Sequence, residues 1–244
     1  MRTIRHYIDA PLAAGTRLML PESAVVHLVR VLRLGVGDGF ALFNGDGFDY
    51  SARLVSLGKK SAEAELLLRV EIGTESPLRI TLAQGIARGE KMDLILQKAT
   101  ELGVACIAPV VTERTEVRLD GERVEKKMQH WRGVLASACE QCGRARLPQI
   151  LEPQSLANFA AGDTSDRRFV LDPDAGQTLA GVGIGETASV SLLIGPEGGL
   201  SERDLAAVHA ARYEGLKLGP RILRTETAGL AAIAALNALY GDWR

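Results

Sequence analysis

Two glycine-rich segments near the C-terminal end constrain the fold of this chain more than any other feature. The first, residues 195–199 (Gly-Pro-Glu-Gly-Gly), follows the apolar run Val190–Ile194, and the second opens with Leu218-Gly219-Pro220. Helical patterns begin just after them, at Ser201 and Thr225. A strand, a glycine turn and a helix in this order are typical of open α/β sheets, which bind ligands at the carboxyl ends of their strands. We therefore expect both segments to expose backbone at a ligand site.

Composition limits the class of protein. The chain has 244 residues, of which 46% are hydrophobic and 24% are charged, so it can fill the core of one large domain or two small ones. The formal net charge of -1 gives no global case for a nucleic-acid binder, and any RNA surface must be local. No apolar stretch is long enough to span a membrane and the N-terminus has no apolar signal core, which predicts a cytoplasmic protein.

The cysteines argue against a redox or metal site. Cys106, Cys139 and Cys142 are too few for a disulfide framework and indicate a reducing compartment. Cys139 and Cys142 form a C-x-x-C, but this pair lies late in a helical run, whereas a thioredoxin-like motif opens a helix. No other cysteine or histidine pair completes a four-ligand zinc set, so we expect no metal.

Short strand signals fill the N-terminal part of the chain, residues 1–72. They cover residues 17–20, 40–43, 50–55 and 64–68, with the hairpin signal Asn44–Gly47 after the second. One helix is expected from Ser23 to Arg33. This pattern predicts a small β-barrel.

Strand and helix patterns alternate from residue 73 to residue 244, which predicts a parallel α/β sheet. The expected strands are Arg79–Ile86, Val104–Val111, Phe169–Asp172, Val190–Ile194 and Leu216–Leu218, and the expected helices are Lys91–Leu102, Gly121–Cys142, Ser201–Arg212 and Thr225–Leu239. The change of texture places a domain boundary between residues 72 and 73.

The usual nucleotide-binding fingerprints do not occur in this second part, which has no G-x-G-x-x-G after its first strand and no G-x-x-x-x-G-K-[ST]. Taken alone, the first glycine segment is equally typical of a tight turn that needs a positive φ. The second segment adds Arg221 and Arg224 around two apolar residues, a mixture that a turn does not need. We expect the bared backbone to bond a purine edge, with Thr225 or Thr227 capping the last helix. The purine faces would be covered by Ile194, Leu218, Ile222 and Leu223.

Five motifs together carry a family resemblance. They are residues 195–199, residues 218–228 (Leu-Gly-Pro-Arg-Ile-Leu-Arg-Thr-Glu-Thr-Ala), residues 98–104 (Lys-Ala-Thr-Glu-Leu-Gly-Val), residues 140–144 (Glu-Gln-Cys-Gly-Arg) and residues 27–33 (His-Leu-Val-Arg-Val-Leu-Arg). In this order they resemble the ribosomal RNA small-subunit methyltransferase E family of the SPOUT class. The chain departs from the family pattern at Cys142 and Thr115, where Ser is more usual, and neither departure removes a charge.

The resemblance implies a fold, a reaction and partners. The fold would be a trefoil-knotted parallel α/β sheet with helices on both faces, preceded by a PUA-like, RNA-binding β-barrel, and the protein would be a homodimer. The reaction would be methylation of N3 of a uridine in 16S ribosomal RNA, within the small ribosomal subunit, with S-adenosylmethionine as the cofactor. The cofactor would be bound by Leu171, Ile194, Gly195, Pro196, Gly198, Gly199, Leu218, Gly219, Ile222, Leu223, Thr227 and Ala228. The apolar face Leu230, Ile233, Ala234 and Leu236 of the last helix would form either a dimer seam or core.

Three residues are candidates for catalysis. Methylation of N3 requires loss of its proton and tolerance of negative charge on O2 and O4, which a fixed guanidinium stabilises. Arg144 is the first candidate, with the alternative role of a cation at a helix C-terminus. Arg224 is the second, with the alternative of an ion pair with Glu226 or Glu197. Glu197 either accepts a proton or orients the glycine loop, and we favour orientation.

A basic patch in the N-terminal part is the candidate RNA surface. It comprises Arg2, Arg5, Arg30, Arg33 and His27, with His6 nearby in the sequence. The alternatives are an ordinary solvated face and, for His27, a buried histidine. The resemblance adds Arg114 to the RNA-binding residues.

Two other functions remain open from the sequence. One is a different RNA methylation by the same fold, such as ribose 2′-O-methylation. The other is an RNA-binding protein without catalysis, against which the intact pair of glycine segments argues.

Overall fold

The computed structural model describes residues 3–117, 121–184 and 189–243, so Arg2 of the expected basic patch lies outside the described residues. The contacts divide the chain into two compact units. The first contains Met1–Glu75 and Ala136–Leu147, and the second contains Ser76–Leu135 and Pro148–Arg244.

The first unit is built on a five-stranded sheet. Its strands are β1 (Arg5–Tyr7), β2 (Arg17–Met19), β3 (Gly39–Phe43), β4 (Phe48–Leu57) and β5 (Ala62–Glu71). Their order in the sheet is β1-β3-β4-β5-β2, and all pairs are antiparallel except β1 with β3. Alternate residues of β4 and β5, including Ala52, Leu54, Ala62 and Ala64, are buried, as expected for a sheet with one face on a core.

The helix expected at Ser23–Arg33 is interrupted. Helix α1 covers Glu22–Val25 and continues as a π-helical segment, Val26–Val31, which packs Leu28 into the core. Arg33 lies beyond this segment with a φ of 60°, a left-handed backbone that no helix contains. The helix therefore ends before the expected Arg33, and Arg30 and Arg33 do not share a helix face.

The second unit is an α/β fold with a parallel sheet. Its strands are β6 (Arg79–Gly85), β7 (Cys106–Val111), β8 (Gln149–Ile150), β9 (Gln154–Ser155), β10 (Arg167–Leu171), β11 (Ser189–Ile194) and β12 (Glu214–Leu216). The order is β12-β10-β11-β6-β7-β8, and β9 pairs with β7. Every pairing is parallel. The last strand ends at Leu216 and not at Leu218 as expected.

Five longer helices accompany this sheet in sequence: α2 (Glu90–Glu101), α3 (Gly121–Cys142), α4 (Leu156–Gly162), α5 (Glu202–Ala210) and α6 (Thr225–Tyr240). Successive residues of β6 point to opposite faces, so Leu82 packs in one core and Ala83 in another. The first core contains α2 and α6 side chains such as Ile95 and Ile233, and the second contains α4 and α5 side chains such as Phe159 and Val208. Helices on both faces of the sheet are thereby confirmed.

Residues 136–147 were expected in the second domain, and the structure places them in the first unit. Hydrogen bonds explain the difference, because Tyr7 N donates to Glu140 Oε1 at 2.9 Å and Gly47 N donates to Ala145 O at 3.1 Å. The helical pattern runs unbroken to Cys142. Nothing in the sequence therefore marks the residue at which the helix passes from the second unit to the first. The boundary also moves from residue 72 to Glu75.

Ile233 and Leu236 are buried in the first core of the second unit, and Leu230 packs against it. The structure therefore favours the core interpretation of the apolar face of α6.

Arg5 was expected to contact RNA, and the structure gives it a different role. Its side chain is 10% exposed and its Nη2 lies 2.7 Å from Asp49 Oδ1. It also donates to Cys139 O at 2.7 Å and to Arg144 O at 2.9 Å. All these partners lie within the first unit, so Arg5 ties residues 136–147 to the sheet instead of presenting its charge to a phosphate.

We predict that Arg5→Ala lowers the free energy of unfolding by on the order of 3 kcal/mol, because it leaves Asp49 and two carbonyl groups without their donor. Urea denaturation measures this change. Arg30→Ala, which removes an exposed arginine from the same unit, is the control and is expected to change stability by less than about 0.5 kcal/mol. Equal stability of the two variants would contradict the structural role of Arg5.

Candidate functional site

A cavity of about 610 Å³ lies at the carboxyl ends of three neighbouring strands of the second unit. Leu171 and Asp172 reach it from the end of β10, Ile194 and Gly195 from the end of β11, and Leu216 from the end of β12. This is the edge at which parallel sheets bind ligands. The volume lies within the range of small-molecule sites, about 300–1,000 Å³.

Both glycine-rich segments line this cavity, as the sequence predicts. Of the residues expected to bind a cofactor, all but Gly198 and Thr227 are on its wall, namely Leu171, Ile194, Gly195, Pro196, Gly199, Leu218, Gly219, Ile222, Leu223 and Ala228. Ile222 is 83% exposed, so it offers a large apolar side chain at the surface next to the cavity.

Gly198 contacts a different neighbour. A Cβ at this position would lie 3.1 Å from Arg114 Cβ, and Arg114 Nη1 donates to Gly198 O at 2.9 Å. Gly198 therefore lets an arginine pack against the loop. It was expected on the cavity wall, but it does not line the cavity. Arg114, which was expected to contact RNA, is exposed and holds this loop.

Thr225 or Thr227 was expected to cap α6, and neither does. The Thr225 hydroxyl donates to Gly195 O at 2.6 Å, so it must accept the hydrogen bond of 2.9 Å from Gln84 Nε2. The N-cap of α6 is Arg224, with no side-chain capping bond. Thr227 is exposed and gives its backbone N–H to Arg224 O. The Thr225 side chain thus joins the two glycine-rich segments, which are distant in sequence.

A second close approach holds the first segment. A Cβ on Gly85 would lie 2.4 Å from Pro196 N, so only glycine at the end of β6 lets residues 195–196 pass this close. Together with the Thr225 bond, this approach fixes the position of the loop that follows β11.

Several cavity residues were not among those expected to bind the cofactor or to act in catalysis. They are Lys91, Asp172, Pro173, Asp174, Leu200, Leu205, Leu216, Arg221, Thr225 and Glu226. Asp172-Pro173-Asp174 directly follows a buried strand, a signal that an edge-of-sheet argument would have found. Lys91 belongs to α2 and carried no comparable signal.

Glu197 lies on the cavity wall with its side chain 19% exposed. It accepts hydrogen bonds from Arg88 N at 3.1 Å and from Lys91 Nζ at 3.2 Å. Burial raises the pKa of this carboxyl group, but hydrogen bonds from its own backbone N–H, from Arg88 N–H and from Lys91 outweigh it, and the net pKa is lowered. A stabilised carboxylate is a weaker base, which favours the interpretation that Glu197 orients the loop.

The two candidate catalytic arginines are in different units. Arg224 lines the cavity, is exposed, and has no ion pair among the described residues. Arg144 belongs to the first unit, is 4% exposed, and places its Nη2 2.6 Å from Glu75 Oε2. A second bond runs from Arg144 Nε to Glu75 Oε1 at 3.1 Å, so the guanidinium is held by two parallel hydrogen bonds. It is therefore fixed in orientation, as either role requires.

The expected RNA surface is reduced to its exposed members. Arg30 and Arg33 are exposed, whereas His27 is half-buried. The His27 ring lies 5.0 Å from the His6 ring, centroid to centroid, and His6 Nδ1 lies 2.7 Å from Glu140 Oε1.

His6, His27 and Glu140 form the one group of possible metal ligands in the described part of the chain, with ligand atoms within 4.8 Å of one another. Glu140 Oε1 already receives Tyr7 N–H and the close contact with His6. We interpret the group as a hydrogen-bonded cluster of the first unit. A hydrogen bond with Cys142 and burial raise the pKa of the Cys139 thiol far above the usual range, which disfavours the thiolate.

We predict that Thr225→Val, which keeps the shape of the side chain and removes its hydroxyl, costs about 1–3 kcal/mol of stability, because Gly195 O loses its donor and Gln84 Nε2 keeps only the hydrogen bond to Gly85 O. A loop released to this extent should bind S-adenosylmethionine at least roughly tenfold more weakly by calorimetry. Thr225→Ser keeps the hydroxyl and should retain most of the affinity. If valine and serine behave alike, the hydroxyl does not hold the cavity.

Comparison with protein families agrees with this geometry. Residues 74–237 match the model of an RNA methyltransferase domain, and residues 20–67 match that of an RNA methyltransferase PUA domain. The described helices include none long and apolar enough to cross a membrane.

Full-length relatives and solved structures extend the match. The ribosomal RNA small subunit methyltransferase E of Buchnera aphidicola (subsp. Schizaphis graminum) is 33% identical, over 99% of this chain and 98% of that protein. A methyltransferase of Legionella pneumophila, solved with bound SAM, has a TM-score of 0.96 and 39% identity, covering 99% of this chain and 100% of its own. The ribosomal RNA small subunit methyltransferase E of Neisseria gonorrhoeae, bound to S-adenosylmethionine, has a TM-score of 0.91 and 36% identity, with both chains fully covered. The chain belongs to the ribosomal RNA small subunit methyltransferase E family.

Proposed function

We propose that this protein transfers a methyl group from S-adenosylmethionine to N3 of a uridine in 16S ribosomal RNA. The observation that carries the proposal is the cavity at the ends of β10, β11 and β12, whose wall combines both glycine-rich segments. Family membership and the SAM-bound relatives support the same cofactor and an RNA substrate.

The residues of the cavity suit this cofactor. Leu171, Leu218, Leu223 and Ala228 provide apolar walls for an aromatic ring. The glycine segments add backbone N–H and C=O groups that can bond the ring's edge without side chains in the way. The acidic wall residues suit a ligand that carries positive charge. When bound, S-adenosylmethionine supplies an electrophilic methyl group on a positively charged sulfur.

The chain's own residues then divide the work. Arg224, on the cavity wall and without an ion pair in the described structure, stabilises negative charge on the uracil oxygens. Glu197 holds the first glycine segment through Arg88 N–H and Lys91. Much of the acceleration comes from positioning the nucleophile in line with the methyl group.

Arg144, the first catalytic candidate from the sequence, has a structural role in this proposal. Its bidentate bond with Glu75 accounts for its burial, so we assign it the role of fixing the loop after α3, and we assign the uracil-facing charge to Arg224. Arg144→Ala would leave Glu75 without its partner, and its effect on turnover would therefore mix folding with chemistry.

Further parts of the proposal concern assembly. We propose that the second unit is trefoil-knotted, that the protein acts as a cytoplasmic homodimer, and that 16S ribosomal RNA is recognised within the small ribosomal subunit. Support for these points comes from the motif resemblance. The apolar side chains of Leu239, in the last turn of α6, and Trp243, just beyond the helix, are 45% and 52% exposed and are available to a partner subunit.

We predict that incubation of small ribosomal subunits lacking the modification with the protein and S-adenosylmethionine produces N3-methyluridine in 16S ribosomal RNA, detected by mass spectrometry of nucleosides. Arg224→Ala should lower the single-turnover rate on the order of a hundredfold, because a preorganised charge donor is lost. A 2′-O-methylated product would replace the proposal with the ribose reaction, and RNA binding without any methyl transfer would leave a binding protein.

The first unit would contact RNA through the exposed pair Arg30 and Arg33. We predict that changing both to Ala lowers the slope of log K against log salt for RNA binding by about 0.7–0.9 for each lost phosphate contact. The matched control is Lys59 and Lys60 both changed to Ala, since these are exposed cations of the same unit. Filter binding across a salt series separates the pairs, and equal slopes for the two double variants would contradict a specific RNA role for the arginines.

A further inference from the structure

Glu226 Oε2 is the unexplained polar atom of the cavity. Among the buried side-chain atoms of the described residues, Gln84 Oε1 and Glu226 Oε2 have no hydrogen-bond partner, whereas His6 Nδ1 lies 2.7 Å from Glu140 Oε1. Among these only Glu226 belongs to the cavity wall. A buried oxygen of this kind costs free energy unless a donor reaches it, and on a cavity wall the donor can come from a ligand.

The backbone that carries this carboxyl group is held through the neighbouring residue. Glu226 follows Thr225, whose side chain is bonded to Gly195 O and Gln84 Nε2, and both residues belong to the first turn of α6. Arg224 precedes them on the same wall. A carboxylate and a guanidinium are thus presented two residues apart at one site.

The other acidic residues of the wall are already engaged or open to solvent. Glu197 accepts from Arg88 N and from Lys91 Nζ. Asp172 Oδ1 accepts the backbone N–H of Asp174 at 2.9 Å, and Asp174 itself is exposed. Glu226 alone among them combines a solvent-excluded oxygen with the lack of a partner in the described structure.

We propose that Glu226 accepts the proton of uracil N3 during methyl transfer, an inference that rests on the proposed function. The N3–H bond breaks and its proton goes to Glu226 Oε2. The electron pair left on N3 forms the bond to the methyl carbon, whose bond to sulfur breaks, leaving that pair on a neutral thioether. Arg224 stabilises the negative charge that the ring oxygens carry between these events.

Two groups could face the Glu226 carboxylate, the N3–H of uracil and the sulfonium of the cofactor. The change of charge during the reaction favours the N3–H. A carboxylate placed against the sulfonium would stabilise a positive charge that disappears on transfer, and this would raise the barrier. The N3 proton is instead a group that must leave before or during the reaction, so an acceptor there lowers the barrier.

The test compares Glu226→Gln, Glu226→Asp and the control Glu202→Gln, which changes an exposed glutamate in the first turn of α5. Single-turnover formation of N3-methyluridine is measured between pH 6 and pH 9, and the affinity for S-adenosylhomocysteine is measured by calorimetry. For Glu226→Gln we expect a rate on the order of a hundredfold lower at neutral pH and rising about tenfold per pH unit, because solvent must then remove the proton. Glu226→Asp should recover part of the rate, and the control should match the unchanged protein.

Calorimetry provides the readout that does not depend on turnover. We expect the glutamine variant to keep its affinity within about threefold, since the proton acceptor faces the uracil. A fall of tenfold or more would assign the carboxylate to an amine of the cofactor and overturn the inference, as would an unchanged rate and pH profile. If the unchanged protein forms no N3-methyluridine, the proposed function itself fails, which is a different result.

Discussion

The hydrogen bond from the Thr225 hydroxyl to the Gly195 carbonyl holds together the site on which this protein depends. It connects the loop after β11 to the first turn of α6, and the bond from Gln84 anchors it to the end of β6. Three elements from different parts of the sequence therefore meet at one hydroxyl group. The close approach of Gly85 to Pro196 acts in the same direction, since it leaves no room for a side chain at the end of β6. Small groups that satisfy one another thus join the segments of the cavity wall.

The protein uses its arginines in two distinct ways, and burial separates them. Arg5 and Arg144 are nearly enclosed, and each is matched by a carboxylate and held by more than one hydrogen bond. Arg30, Arg33 and Arg224 are exposed. Charges of the first kind organise the fold, because moving them would leave a buried partner unsatisfied. Charges of the second kind are available for an anionic ligand at little structural cost.

The sequence predicts the regular elements of this fold well, because they depend on local patterns. The bounds of α3 agree with the expected Gly121–Cys142, and α5 begins next to the expected Ser201, which forms a capping box with Asp204. The carboxyl-edge argument also places both glycine segments on one cavity. These predictions need only periodicity, capping chemistry and the direction of parallel strands.

The errors concern side chains whose partners are distant in sequence. Thr225 is the first residue of α6 and not its N-cap, and its hydroxyl donates to Gly195 O. Arg5 is of a residue type that often contacts phosphates, but its guanidinium is bound by Asp49 and two carbonyl groups. Glu226 lies within the second glycine-rich motif, but only the burial of one oxygen atom distinguishes it from the other acidic residues of the cavity wall. Such choices depend on three-dimensional neighbours, which a single sequence does not display.

The return of residues 136–147 to the first unit has a consequence for synthesis on the ribosome. The chain emerges from its N-terminus, and a domain that is continuous in sequence can fold as soon as its last strand is released. Here β1 to β5 are complete by Glu71, yet the partners of Arg5 at Cys139 and Arg144 are made much later. Until Leu147 has been translated, Arg5 lacks two of its acceptors and the Tyr7 N–H lacks Glu140. The first unit can therefore complete its hydrogen bonds only after the residues of β6 and β7 of the second unit have been translated. This order couples the folding of the two units in time.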